Sequence, residues 1–196
     1  MTEHPGFKKA EIVSKWPLMA FLLTAMFCFG CSVSCHLMHS KDPKVSRIVS
    51  SLDYWGIVNL ILGTNYPFIS FRYSCGYLIV WRYIFISILM VLTICCMVVT
   101  VKTTFLRPTP KAILFISFGL LCMIPTILLY VIYDPEYGLP PSTQPYSWPI
   151  LFYLLGLLFF MSKVPERYSK TGQFDLFFSS HQIHHICVIG GVLVSF

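Results

Sequence analysis

Charged residues are scarce in this sequence. Its 196 residues include 14 lysines and arginines and 8 aspartates and glutamates, so 11% of the chain is charged and 56% is hydrophobic. Soluble domains average about 25% charged residues. So apolar a composition excludes an ordinary soluble fold and predicts an integral, multi-pass membrane protein whose main partner is the lipid bilayer.

The sequence also lacks a basic tract. The net charge is +6, but the lysines and arginines are spread over the connections between apolar segments. We therefore expect no binding to nucleic acid and interpret these residues as determinants of membrane orientation. A cleavable signal peptide is not predicted either, because the first apolar run is too long and no small-residue cleavage pattern follows it before the polar stretch Ser32 to His39.

Six apolar segments approach or exceed the length needed to cross a bilayer, which takes about 20 helical residues. They lie at about 16–39, 52–71, 76–101, 112–133, 148–163 and 179–196, with a kink expected at Pro125. Residues 1–15 would form a charged juxtamembrane segment, and residues 16–196 a single transmembrane domain. The sequence thus predicts an all-α bundle of six transmembrane helices.

The basic residues predict an orientation for this bundle. With six spans, the links at 40–51, 102–111 and 163–178 lie on one side of the membrane and hold three basic residues each, nine in all. The opposite side holds only Lys8, Lys9, Lys15 and Arg72. Because cytoplasmic loops carry the excess of lysine and arginine, we expect the nine-residue side to face the cytoplasm and both termini to lie outside.

The most informative stretch is Ser179 to His185, where the last apolar segment begins. His181 and His185 are four residues apart, so a helix would present both imidazoles on one face. Such a pair suits zinc, which in catalytic sites usually has three protein ligands and a water. The alternative is that these histidines are polar residues at a membrane boundary and bind no metal.

Two other spans bring polar residues to the same predicted depth. An ionisable group at a span boundary is costly unless it has a partner. We expect His36, near the end of the first span, to supply the third zinc ligand. Asp53, at the start of the second span, would ligate the metal or hold its water, although a helix N-cap is the alternative. Ser32 lies one turn before His36, where its hydroxyl would contact that water or a substrate carbonyl.

These motifs resemble the progestin and adipoQ receptor family, which includes the adiponectin receptors and is related to haemolysin III proteins and alkaline ceramidases. The matching stretches, in chain order, are Ser32-x-x-x-His36, Leu52-Asp53-Tyr54-x-Gly56-Ile57, Pro165-Glu166-Arg167, Gly172-x-Phe174-Asp175 and Ser180-His181-Gln182-Ile183-x-His185. The resemblance implies a seven-helix membrane protein with zinc near the cytoplasmic face. It maps the three histidine ligands onto His36, His181 and His185, the water-holding aspartate onto Asp53 and the serine onto Ser32.

The chain departs from the family pattern at three places. Ser32-x-x-x-His36 belongs at the end of the family's second helix, so we expect six of the seven family helices here, without the first. His184 stands where relatives carry an aromatic residue and points about 100° away from His185, which favours a packing or interfacial role. The last span, 179–196, is about 27 Å long at 1.5 Å per residue, barely enough to cross a bilayer. Relatives have a cytoplasmic N-terminus, and the outside N-terminus that the charge count predicts fits the loss of the first family helix. We expect Pro165-Glu166-Arg167 to form a turn with a local ion pair that positions the last helix.

The cysteine pattern carries no separate function. We expect no disulfide framework among the eight cysteines. Cys28, Cys31 and Cys35 form a stripe on the first span, which we interpret as small-residue helix packing in preference to a thiolate site.

The residues suggest a lipid amidase but leave other functions open. Gln182 follows His181, so the H-E-x-x-H motif with its built-in glutamate base is lacking, and Asp53 becomes the candidate general base. A site between apolar helices would select ceramide or another lipid. We therefore hypothesise a receptor with ceramidase-like hydrolase activity in lipid signalling.

Two alternatives lack this chemistry. One is a receptor in which zinc only staples helices together, in a coordinatively closed site. Its ligand would be a lipid, an extracellular protein or a steroid. The other is a haemolysin III-like channel or transporter, which would need polar residues along the full depth of a path, whereas here they gather at one end.

Overall fold

A computed structural model of the chain describes residues 15–38, 42–74, 78–102, 108–132, 144–170, 173–174 and 177–195. All regular secondary structure in these residues is helical, which confirms the predicted all-α membrane helix bundle. The helices are α1 (Trp16–Met38), α2 (Pro43–Arg72), α3 (Leu78–Lys102), α4 (Pro108–Cys122), α5 (Ile124–Ile132), α6 (Gln144–Ser162) and α7 (Ser180–Ser195). A short 3-10 turn, Glu166–Tyr168, lies between α6 and α7.

Each of the six predicted spans overlaps a helix, or the pair α4 and α5 at 112–133. By length and composition alone, three helical segments of the described chain can cross a membrane: Trp16–Met38, Leu78–Lys102 and Trp148–Tyr168. Helices α4 and α5 are interrupted at Met123, two residues before Pro125, since proline has no N–H for the helical bond to the fourth residue before it and its ring clashes with that carbonyl.

Helix α2 begins at Pro43, nine residues before the predicted start of the second span at 52. Asp42 caps it, because an Asp42 Oδ1 accepts a hydrogen bond of 3.0 Å from the Lys44 N–H, and proline is favoured in the first helical turn that follows. Asp53 therefore lies inside α2. The alternative reading of Asp53 as the N-cap of this helix is wrong.

Two apolar clusters hold the helices together. The first joins α2 and α3 to α4 and includes the fully buried Val58, Leu89 and Cys122. The second joins α1, α2 and α7 through Phe21, Ala25, Cys28, Leu60 and Val192. Within this second cluster α7 contributes Val192, while its most extensive packing is against α6.

Close helix contacts depend on small residues. A Cβ at Gly56 of α2 would lie 2.9 Å from the Cys28 Cα of α1, and one at Gly191 of α7 would lie 2.5 Å from the Cε1 atom of Tyr153 on α6. Cys28, Cys31 and Cys35 are buried and free, and Gly56 contacts two of the three. Small side chains let helix backbones approach closely where no water drives association.

The outward faces of the helices are apolar. Leu23, Met26, Leu158 and Leu193 each expose more than 60% of their surface. In water an apolar surface of this extent would be a liability, but acyl chains solvate it readily. The side-chain amides of Asn59 and Asn65 donate to backbone carbonyls of α2 itself, at 2.8 Å each, as polar groups inside a bilayer must find protein partners.

Candidate metal centre

Three imidazoles meet at one end of the bundle, where α1 ends and α7 begins. We call this the histidine end. The Nε2 atoms of His36 and His181 lie 3.0 Å apart, and those of His181 and His185 lie 3.2 Å apart. One ligand atom from each of the three residues lies within 4.8 Å of the others. We refer to His36, His181 and His185 as the three-histidine cluster.

The three-histidine cluster depends on helix geometry within α7 and on the packing of α7 near α1. His181 and His185 lie one turn apart on α7, and their ring planes are perpendicular with centroids 4.7 Å apart. His36 lies in the last turn of α1 and reaches His181 across 145 residues of sequence. Helix α7 packs closely against α6 at Gly156 and Gly191, and its Val192 belongs to the same buried cluster as Phe21 of α1.

The donor set fits zinc. Zinc–nitrogen bonds of about 2.0–2.1 Å at tetrahedral angles place neighbouring nitrogens about 3.3 Å apart. The two closest nitrogen separations in the cluster, 3.0 and 3.2 Å, are near this value. Three histidine nitrogens are also the ligand number of a catalytic zinc site, which keeps one position for water or substrate.

A hydrogen-bonded network is the alternative account of these distances. An unprotonated His181 Nε2, which has a single lone pair, would then accept an N–H bond from His36 or from His185. Imidazole tautomers are set by such partners. The two accounts differ in a measurable way, because only the first predicts stoichiometric metal.

The cluster is shielded unevenly. His36 is exposed, whereas His181 and His185 are half-buried. Phe160, near the end of α6, packs its ring 5.6 Å from the ring of His181 and 5.5 Å from that of His184. Phe160 thus forms an aromatic wall on the α6 side, a contact that the sequence reading missed because it depends on how α6 packs against α7.

Asp53 and Ser32 lie beside the cluster. The half-buried Asp53 carboxylate interacts with the buried Ser32 hydroxyl and, electrostatically, with His36. Asp53 is not a member of the group whose ligand atoms lie within 4.8 Å of one another. The structure therefore brings all five predicted site residues to the histidine end, with Asp53 placed to act on the site from its edge. Their binding and catalytic roles stay predictions.

His184 lies on another face of α7. Its ring contacts Phe160, and its Nδ1 atom faces Gly156 of α6, where an added Cβ would come within 3.2 Å. It packs between the two helices and is not part of the three-histidine cluster. His39, Gly172 and Asp175, which also figured in the sequence motifs, lie outside the residues that the structure describes.

The first turn of α7 is capped in two ways. Ser179 Oγ accepts from the Gln182 N–H and Gln182 Oε1 accepts from the Ser179 N–H, at 3.3 Å each, which is a capping box. Glu166 Oε1 accepts from the Ser180 N–H at 2.7 Å and from the Ser180 hydroxyl at 2.9 Å. The Ser179-x-x-Gln182 pattern could have revealed the box, but no local pattern reveals the partner 14 residues away.

The expected local ion pair of Pro165-Glu166-Arg167 is replaced by these contacts. Glu166 bonds to Ser180, while the Arg167 guanidinium carbon lies 6.0 Å from the ring centroid of Tyr168. The motif still acts on the last helix, but through a hydrogen-bonded carboxylate that reaches the start of α7.

Comparison with known proteins places this chain in a wider group. A family described as haemolysin-III related matches residues 2–196. The chain is 34% identical over 183 residues to the adiponectin receptor protein of Drosophila melanogaster, covering 90% of this chain and 40% of that protein.

Two further relatives show similar identity. Heptahelical transmembrane protein 1 of Arabidopsis thaliana is 32% identical over 201 residues, which cover 97% of this chain and 59% of the relative. Progestin and adipoQ receptor-like protein 1 of Caenorhabditis elegans is 32% identical over 183 residues, with 90% and 41% covered. The chain spans about half the length of the curated relatives it matches.

Proposed function

Because the chain belongs to the progestin and adipoQ receptor family, which is haemolysin-III related, and is an integral multi-pass membrane protein, we propose that it binds zinc and hydrolyses a lipid amide of the ceramide type in lipid signalling. The observation that carries this proposal is the convergence of three imidazole Nε2 atoms at the histidine end.

The three-histidine cluster would hold the metal. His36 contributes from α1, while His181 and His185 contribute from α7, so the site joins the first and the last of the described helices. Bound zinc would supply Lewis acidity toward a carbonyl oxygen or a water. The remaining chemistry falls to the side chains around the cluster.

Asp53 is positioned to act as the general base. Its carboxylate would take a proton from the water that attacks the amide carbonyl carbon, and would return that proton to the amide nitrogen as the C–N bond breaks. The products are a carboxylic acid and an amine, so the atoms and protons balance. Ser32, through its interaction with Asp53, would orient the carboxylate.

Apolar side chains beside the site favour a lipid substrate. Leu37, next to His36, exposes 70% of its surface, and Ile186, next to His185, exposes 61%. Both would contact acyl chains in a bilayer. A substrate that keeps its hydrocarbon in the membrane and presents an amide at the polar boundary would therefore meet the histidines without leaving the lipid phase, as ceramide would.

A receptor without hydrolase activity is the second candidate. The cluster links α1 to α7, so bound metal would also staple the bundle, and a staple needs no catalytic base. The names of two relatives, an adiponectin receptor and a progestin and adipoQ receptor-like protein, would then point to an extracellular protein or a steroid as ligand.

A channel or transporter has less support. The clustered ionisable side chains of the described residues lie at the histidine end. Deeper in the bundle, the described contacts are mainly apolar. A polar path along the full depth would be required for conduction.

The deciding experiment uses the protein purified into lipid nanodiscs. Zinc is measured by mass spectrometry of the metal, and the release of sphingosine from ceramide by mass spectrometry of the lipids. We expect about one zinc per chain and zinc-dependent release. Stoichiometric zinc without any release of sphingosine would favour the staple, and absence of zinc would reject both candidates.

A further inference from the structure

Ser180 is the first residue of α7. Among the described side chains outside α7, only that of Glu166 accepts hydrogen bonds from it. Glu166 Oε1 accepts from both the N–H and the hydroxyl of Ser180. We propose that Glu166 is a positioning residue, which fixes the start of α7 and thereby holds His181 against His36. The inference rests on the proposed zinc site, although the contacts themselves do not depend on a metal.

The start of α7 needs an external partner for a physical reason. The first four N–H groups of an α-helix have no partner within the helix, and helix ends fray unless they are capped. The capping box of Ser179 and Gln182 has long bonds of 3.3 Å, whereas the Ser180 N–H bond to Glu166 is 2.7 Å. His181 is the very next residue, so its position depends on this bond.

Glu166 is itself well anchored. It lies in the turn that follows α6, where the Arg167 N–H donates to the Lys163 carbonyl at 2.8 Å and the Tyr168 N–H donates to the Pro165 carbonyl at 3.0 Å. The carboxylate therefore transmits the position of the end of α6 to the start of α7.

The two helices also touch deeper in the bundle. Gly156 of α6 lies against Cys187 and His184, where an added Cβ would come within 2.8 Å of the Cys187 Cβ. This contact and the Glu166 bond are two separate points of attachment. Without the bond, the first turn of α7 would move about the contact at Gly156, and His181, which is farther from that contact in sequence than His185, would be displaced more.

Charge and hydrogen bonding make different predictions for this residue. A carboxylate at a helix N-terminus is favourable with the helix dipole, and it also lies near His181. Glutamine keeps an oxygen acceptor but has no charge. Positioning by hydrogen bonds therefore predicts that Glu166→Gln retains function, whereas an electrostatic role predicts that it behaves like Glu166→Ala.

The test compares Glu166→Ala, Glu166→Gln and the control Arg167→Ala in nanodiscs. Zinc affinity is measured by chelator competition, and ligand geometry by the visible spectrum after Co²⁺ replaces zinc. Loss of residues that orient ligands typically costs about 10–100-fold in metal affinity. We expect a loss in this range and an altered Co²⁺ spectrum for Glu166→Ala, with Glu166→Gln and Arg167→Ala close to wild type.

Hydrogen exchange in the metal-free protein tests the bond separately. The amides of the first turn of α7 should exchange faster in Glu166→Ala than in wild type or Arg167→Ala. Unchanged exchange overturns the inference, and so does faster exchange with unchanged zinc affinity, or a Glu166→Gln variant as weak as Glu166→Ala. If the wild-type protein binds no zinc, the proposed function fails, and the claim that Glu166 positions zinc ligands fails with it. The exchange result then still shows whether Glu166 holds the start of α7.

Discussion

The Nε2 atoms of His36 and His181 lie 3.0 Å apart although 145 residues separate them in the chain. Two imidazole nitrogens this close need a shared proton or a shared cation, because both cannot carry a hydrogen directed at the other. His185 adds a third nitrogen 3.2 Å from that of His181. A shared cation would therefore link the end of α1 to the start of α7.

Replacing His185 with alanine should abolish zinc binding. Two imidazoles remain, which is fewer than the three protein ligands typical of catalytic zinc, so the metal content of purified protein should fall from about one per chain to near zero. Mass spectrometry of the metal measures this. His184→Asn is the matched control, since His184 lies one position away but outside the cluster and the amide can replace its Nδ1 atom. Equal zinc loss in both variants would contradict the assignment.

Replacing Asp53 with asparagine should separate chemistry from metal binding. The amide has nearly the shape of the carboxylate but cannot act as a base, and general bases typically contribute about 10²–10⁴-fold in rate. We expect ceramide hydrolysis to fall by at least about 100-fold with zinc content unchanged.

Asp42→Asn is the control for this variant. Asp42 caps α2 at the same end of the helix, and asparagine is an equally good N-cap, so activity and stability should both be retained. Full activity in Asp53→Asn would show that a group other than Asp53 takes the proton, and would contradict the assignment of Asp53 as the general base.

Adding one methyl group at Gly56 should destabilise the bundle. The new Cβ would lie 2.9 Å from the Cys28 Cα, a backbone atom that can move only with α1. Overpacking of this kind costs about 1–3 kcal/mol, and the separation of α1 from α2 should also move Asp53 away from His36, since the two residues lie on the two helices.

Gly30→Ala provides the control for this substitution. A Cβ at Gly30 meets no atom within 4 Å, and alanine is favoured over glycine inside a helix by about 1 kcal/mol. The thermal midpoint in nanodiscs should therefore fall for Gly56→Ala and stay or rise for Gly30→Ala. A lower midpoint for Gly30→Ala than for Gly56→Ala would be incompatible with the packing described.

Features with a local cause could be read from the sequence. Apolar length predicted where helices form, and the spacing of His181 and His185 predicted one shared face, because helical periodicity depends only on neighbours within a turn or two. The break near Pro125 was likewise predictable from the missing N–H of proline. The start of α2 does not follow from apolar length, because the helix begins inside the polar link 40–51, where Asp42 and Pro43 form a standard N-terminal signal.

By itself, the sequence determined that this protein is helical, lies in a membrane and carries the histidines, aspartate and serine in the order of its family. Only the tertiary structure decided that His36 reaches His181, that Asp53 lies inside α2 beside Ser32, and that Glu166 bonds to Ser180 in place of a local ion pair. The physical reason is that these contacts depend on how α7 packs against α6 at Gly156 and on the buried cluster that Val192 shares with Phe21 and Leu60. Such packing is set by the shapes of distant side chains, which no short-range pattern encodes.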